Sequence, residues 1–185
     1  MMNHIDLSRM LRQTLACDLY SNLVTRSTGA AVRGQIEALL SANSERALTI
    51  IDFSQVSMID FSCADEVVAK LLMRYATDDP PGDAYFLFRG VTEDHCDAIE
   101  AVLERHDLAL AVEEDGEVRI MGVLPDDERL AWNTTHELGS ADAGEVAARM
   151  GTDVERATQA LDRLQRRRLI MRVDERYVVV GNVTE

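Results

Sequence analysis

The chain has 185 residues, 46% hydrophobic and 28% charged, which is the composition of a soluble globular protein of one medium domain or two small ones. No apolar run approaches the ~20 residues of a membrane span, MMNHIDLSRM carries no signal-peptide pattern, and three scattered cysteines, Cys17, Cys63 and Cys96, offer neither a disulfide framework nor metal-ligand spacing. The formal net charge of −14 lies wholly in residues 1–137, with 11 basic and 25 acidic side chains, because residues 138–185 hold eight Arg against eight acids; such an acidic body repels phosphate backbones and suits protein partners, and a reduced cytoplasmic setting is the expectation.

In chain order, His4–Leu7 reads as a first strand and Leu19–Val24 as a second extended piece. Thr28 can cap a helix running to Leu40, with Val32, Ile36, Leu39 and Leu40 on its buried face. Leu48–Phe53 is a short apolar run rich in β-branched residues, the signature of a strand buried on both faces. Residues 54–61 form a loop. A helix then runs to Ala76, with Ala64, Val67, Val68, Leu71, Leu72 and Tyr75 at helical spacing. Ser62, three residues before Asp65, reads as its cap in a Ser-x-x-Asp capping box. Asp78–Asp83 is a loop, since its two prolines and glycine cannot continue a helix. Ala84–Phe88 is another buried strand. Thr92–His106 is a helix with Cys96, Ile99, Val102 and Leu103 inward, and Leu108–Val112 and Val118–Val123 form a hairpin around Gly116. Strands alternating with helices at this spacing predict an α/β fold, a mixed sheet with helices packed on it.

The stretch LTIIDFSQVSMIDFSCADEVVAKLLMRY, residues 48–75, resembles the heart of a STAS domain, the fold of bacterial anti-sigma factor antagonists. It is most similar to the STAS-like subgroup, and the preceding NLVTRSTGAAVRGQIEALL fits as well; the resemblance runs from residue 3 to about residue 112. It implies a regulatory module that binds an anti-sigma or kinase-type protein through the loop and the helix after it. The residues assigned to that contact are Ser57, Asp60, Ser62, Asp65, Glu66 and Lys70, with Asp65, Glu66, Lys70 and Arg74 as the outward positions of the helix. One position departs from the switchable antagonists. Their phospho-acceptor directly follows the loop Asp, whereas here Asp60 is followed by Phe61, Ser62 comes one place late, and Cys63 stands where Gly is usual. Ser62 is thus a candidate phosphosite, weighed against the plainer role of a helix cap.

Pro125 marks a change of character. Glu128–Leu138 reads as a connecting helix carrying Trp132, Ser140 precedes a short helix ending at Met150 with Gly151 at its C-terminal cap, and Thr152–Glu155 reads as a capping box opening a helix with Val154, Ala157, Leu161 and Leu164 inward. Leu169–Val173 and Tyr177–Val180 are strands. This order, with VAARMGTDVERATQALDRLQRRRLI, resembles a winged helix-turn-helix. The expected organisation is therefore a STAS-like domain over 1–124 and a small winged-helix (α+β) domain over 125–185, with 125–138 as connector. The resemblance implies that Arg156, Gln159, Arg163 and Arg166 are the candidate DNA contacts. Asp153, Glu155 and Asp162 lie beside them, so DNA binding is expected to be weak. The Arg166–Arg168 run also suits a helix C-terminus on dipole grounds alone.

No catalytic constellation emerges. Asp52 and Asp60 read as loop caps, Cys63 as a small buried residue, and His4, His95, His106 and His136 form no motif. The expectation is a non-enzymatic transcription-regulatory protein without cofactor or metal that binds a protein partner, with a homodimer left open. The alternative is a DNA-binding regulator whose STAS-like domain serves as sensor or dimeriser.

Overall fold

The computed structural model describes residues 2–6, 22–42 and 45–182; Cys17, Leu7 and residues 19–21 of the second predicted strand lie outside them. In chain order the elements are β1 (Met2–Asp6), β2 (Asn22–Leu23), α1 (Arg26–Ser41), β3 (Ala47–Asp52) and β4 (Met58–Ile59). Then come α2 (residues 61–75), β5 (Ala84–Arg89), α3 (Glu93–Arg105), β6 (Ala109–Glu114) and β7 (Glu117–Gly122). The last part contains α4 (Asp126–Leu138), α5 (Ala143–Met150), α6 (Val154–Arg166), β8 (Ile170–Val173) and β9 (Arg176–Val179).

Five strands make one mixed sheet in the order β1-β3-β5-β6-β7, parallel except for the final β6–β7 hairpin. Successive residues of a strand point to opposite faces, and here both faces are buried. Ile51, Phe86, Phe88, Leu110 and Val112 share a core with α1, α2 and α3. Leu48, Ile50, Tyr85, Leu87, Ala109 and Ala111 share a second with α4, α5, α6 and the β8–β9 ribbon, through Trp132, Leu161, Leu164 and Ile170 among others. Burial on both sides is why the strands read as continuous apolar runs rather than as alternation. The architecture is mixed α/β, with several helices packed on a β-sheet.

Several local expectations are corrected. Thr25, at φ 76°, is the N-cap of α1, and Thr28 lies within the first turn. Leu39 is 50% exposed, whereas Gly29 joins Val32, Ile36 and Leu40 on the buried face. The predicted loop 54–61 contains β4, which pairs in parallel with β2 through Asn22–Met58 and Leu23–Ile59; two residues are too few to show a period. Cys96 is only half-buried, and the neighbouring His95 takes the interior. The short helix expected after Ser140 begins at Ala143, capped by Asp142 in a capping box with Glu145. Asp153 caps α6 by accepting from the Arg156 N–H, without the reciprocal bond of a box, and Val154 is 54% exposed.

Candidate functional site

The candidate site is the amino-terminal half of α2 with the loop before it. Asp60, in extended conformation at φ −88°, is the N-cap. Its Oδ1 accepts from the Cys63 N–H at 2.7 Å and the Ser62 hydroxyl at 2.9 Å, and its Oδ2 accepts from the Thr25 N–H at 3.0 Å. One carboxylate thus ties the start of α2 to the start of α1. Burial alone would raise its pKa, but these donors outweigh it and hold the carboxyl below its ordinary value. The cap predicted at Ser62 is therefore corrected: a carboxylate two residues earlier already satisfies the free N–H groups, and Ser62 serves as a donor to it. The role read for Asp52 holds, since its Oδ1 accepts from the Ser54 N–H at 2.8 Å.

The interior of α2 departs from α-helical spacing. Phe61–Ala64 and Lys70–Tyr75 are α-helical, but Asp65–Ala69 makes a π turn. Such single π turns occur within α-helices, and here all five of its residues are buried because α1 and α3 both pack against it; Asp65 and Glu66 are therefore 6% and 2% exposed rather than outward. Both are heavily paired. Arg26 Nη1 donates to Asp65 at 2.9 Å and to Glu66 at 2.8 Å, Arg33 reaches Glu66 at 3.2 Å, and Lys70 joins Glu66 from one turn on. His106 Nε2 lies 2.8 Å from Asp65 Oδ1. Burial works to raise both carboxyl pKa values, and the surrounding cations and donors reverse it, holding both low. Gly29 permits this closeness, since a Cβ there would lie 2.9 Å from Glu66 Cβ and 3.0 Å from Cys63 Cα. Cys63 donates its thiol to the Thr25 carbonyl at 3.0 Å, and burial followed by Asp60 pushes its pKa up to about 12, so it is a structural thiol.

Of the six residues assigned to partner contact, Ser57 is exposed, and Asp60, Ser62 and Lys70 are partly covered. Asp65 and Glu66 lie inside the network and offer no outward carboxylate. The surface beside them carries two residues that sequence reasoning passed over. Met58 is 48% and Phe61 38% exposed, with the Arg105 guanidinium 5.6 Å from the Phe61 ring centre. Their one sequence signal was large apolar residues within a predicted loop. His95 braces the rim: its Nδ1 accepts from the Thr92 N–H at 3.0 Å, so Nε2 carries the hydrogen and donates to the Val56 carbonyl at 2.7 Å.

Arg156, Gln159, Arg163 and Arg166 all lie on α6, as the DNA reading requires, but the arginines are engaged within the chain. Arg163 binds Asp127 and Glu128, Arg166 meets Asp78 at 2.9 Å, and Arg156 has Asp153 at 3.5 Å. Arg149 faces Glu137, Arg167 Glu128, Arg168 Asp83, Arg172 Glu175 and Arg176 Glu145. Each of the eight arginines in residues 138–185 thus has a carboxylate partner in its own chain. The Arg166–Arg168 run is no simple helix-end charge. Arg168, at φ 64°, turns inward, donates to the Tyr75 carbonyl at 3.0 Å and to Asp83 at 3.0 Å, and lies 5.1 Å from the Tyr85 ring centre.

Among the described residues no cluster of three or more His, Cys, Asp or Glu side chains is placed to hold a metal, and no helix is long and apolar enough to cross a membrane. No family model matches the chain, and no curated protein matches it significantly.

Proposed function

We infer that the chain is a non-enzymatic regulatory protein whose STAS-like body binds a protein partner in the control of transcription. The observation that carries this reading is the pairing of all eight arginines of residues 138–185 within the chain, on a molecule of net charge −14. DNA affinity rests largely on cations free to neutralise phosphates, and each here would first have to leave a carboxylate. The half-exposed Met58 and Phe61, rimmed by Ser57, Asp60 and Ser62, suit a protein surface instead. The contact is thereby centred on the loop and the first turn of α2.

The second reading, a winged helix-turn-helix gripping DNA, is favoured by one observation: Arg156 keeps 79% of its side chain exposed, and Gln159 beside it is exposed too. Anisotropy titration of labelled duplex DNA separates the two. The expected result is weak, steeply salt-dependent binding at physiological salt, lost in Arg156→Ala. A sequence-specific complex of about 10 nM, typical of dedicated regulators, would replace the first reading by the second.

A further inference from the structure

Two copies of a chain carrying −14 repel one another over most of their surface. The face built by α4, α5 and α6 is different. Between α4 and α6 runs a groove of about 470 Å³, with Leu130, Met150 and Ala160 in its lining and Asp127, Arg156 and Arg163 around them. Leu130 is 48% exposed on the groove's flank, and Leu138 at the end of the same helix is 39% exposed. Two further pairs belong to these helices and are loose: Arg149–Glu137 at 3.6 Å and Arg156–Asp153 at 3.5 Å, every side chain in them more than half exposed.

A twofold contact between identical surfaces needs a self-complementary patch, and an apolar strip bordered by charges of both signs can supply one. We propose that a second copy of this chain docks on the α4–α6 face, with Leu130 of each copy against the groove of the other and the loose pairs exchanging partners across the twofold axis. The charge complementarity selects the occupant. A strongly basic partner would meet Arg149, Arg156 and Arg163, and a strongly acidic one Asp127, Glu137 and Asp153, whereas a second copy presents both signs together. The contact is independent of the Met58–Phe61 surface and leaves one such surface open on each copy.

Sedimentation equilibrium on the full chain tests this, from about 1 to 200 µM at physiological salt, a range that brackets the micromolar affinity of a modest interface. The expected result is a monomer–dimer equilibrium that Leu130→Asp weakens at least about tenfold, while Leu39→Asp, on the exposed face of α1, leaves it unchanged. Arg149→Glu is the second variant: it should weaken the dimer, and Arg149→Glu with Glu137→Arg should restore it. Circular dichroism confirms that each variant is folded. A wild-type chain that stays monomeric at about 200 µM, or a dimer untouched by both Leu130→Asp and Arg149→Glu, overturns the proposal.

Discussion

Glu66 holds Arg26, Arg33 and Lys70 around a side chain that is only 3% exposed. Neutralising it leaves those cations without their shared anion, and breaking one side of a buried pair costs about 3–5 kcal/mol. The cations reach solvent, so Glu66→Gln should lower the unfolding free energy at neutral pH by less, about 2–3 kcal/mol. The pH dependence has a definite sign. Asp60, Asp65 and Glu66 titrate lower in the folded chain than their ordinary values of 3.8, 3.8 and 4.5. Their contribution is therefore complete above those values and is lost as pH falls through the lower folded ones. Denaturant unfolding across acid pH should show wild-type stability falling below about pH 4.5, with the gap to Glu66→Gln closing in the same window. A gap that stays constant down to about pH 2 would mean that Glu66 is not held as an ion.

At the scale of elements, the contact of α1 with α2 depends on a glycine. Gly29→Ala puts a methyl group 2.9 Å from Glu66 Cβ and 3.0 Å from the Cys63 backbone, and such overpacking costs about 1–3 kcal/mol. Gly34, on the same helix, has nothing within 4 Å of an added Cβ, so Gly34→Ala should stabilise by up to about 1 kcal/mol through helix propensity. Opposite signs in thermal denaturation are the expected outcome; two substitutions of equal effect would contradict the close approach. The apolar face of α2 was legible, for Ala64, Val67, Val68, Leu71, Leu72 and Tyr75 are all buried. The neighbouring Asp-Glu pair was not, because two adjacent acids between apolar positions look like a solvent face whenever the period is 3.6. The packing of α1 and α3 against this stretch puts them inside, and their partners Arg26 and Arg33 belong to another helix. Asp60 read as a loop cap, but its place as the helix N-cap was hidden because Ser62 is an equally good capping residue, and the Asp60 carboxylate also serves Thr25, a contact 35 residues away.

On the scale of the whole molecule, the carboxy-terminal helices close the second face of the sheet, and Arg168 is a principal fastening. Its side chain joins the end of α2 at Tyr75, the residue before β5 at Asp83, and the ring of Tyr85. Arg168→Ala should cost about 2–4 kcal/mol through the lost charged hydrogen bonds. Arg168→Gly should cost about 1 kcal/mol less than that, because glycine adopts φ 64° without strain. An alanine variant as stable as wild type would remove Arg168 as a fastening. Local pattern could not reveal this role, since an arginine run at a helix end satisfies the dipole whether or not one member turns inward. The order of three helices and a two-stranded ribbon after Pro125, by contrast, was readable from Gly151 and the apolar spacing of Ala157, Leu161 and Leu164 on α6, although the caps fall on Asp142 and Asp153.

The central claim is that this molecule reads a protein, through the surface around Phe61. Quantitative co-purification of the tagged full chain from its native host, with and without nuclease, compares wild type with Phe61→Asp, a variant whose fold is first verified. The expected result is one protein recovered in near-equal amount with the wild-type chain whether or not nuclease is present, and depleted at least about tenfold with Phe61→Asp. Recovery of DNA fragments sharing a sequence, with associated proteins lost on nuclease treatment and Phe61→Asp without effect, would contradict it.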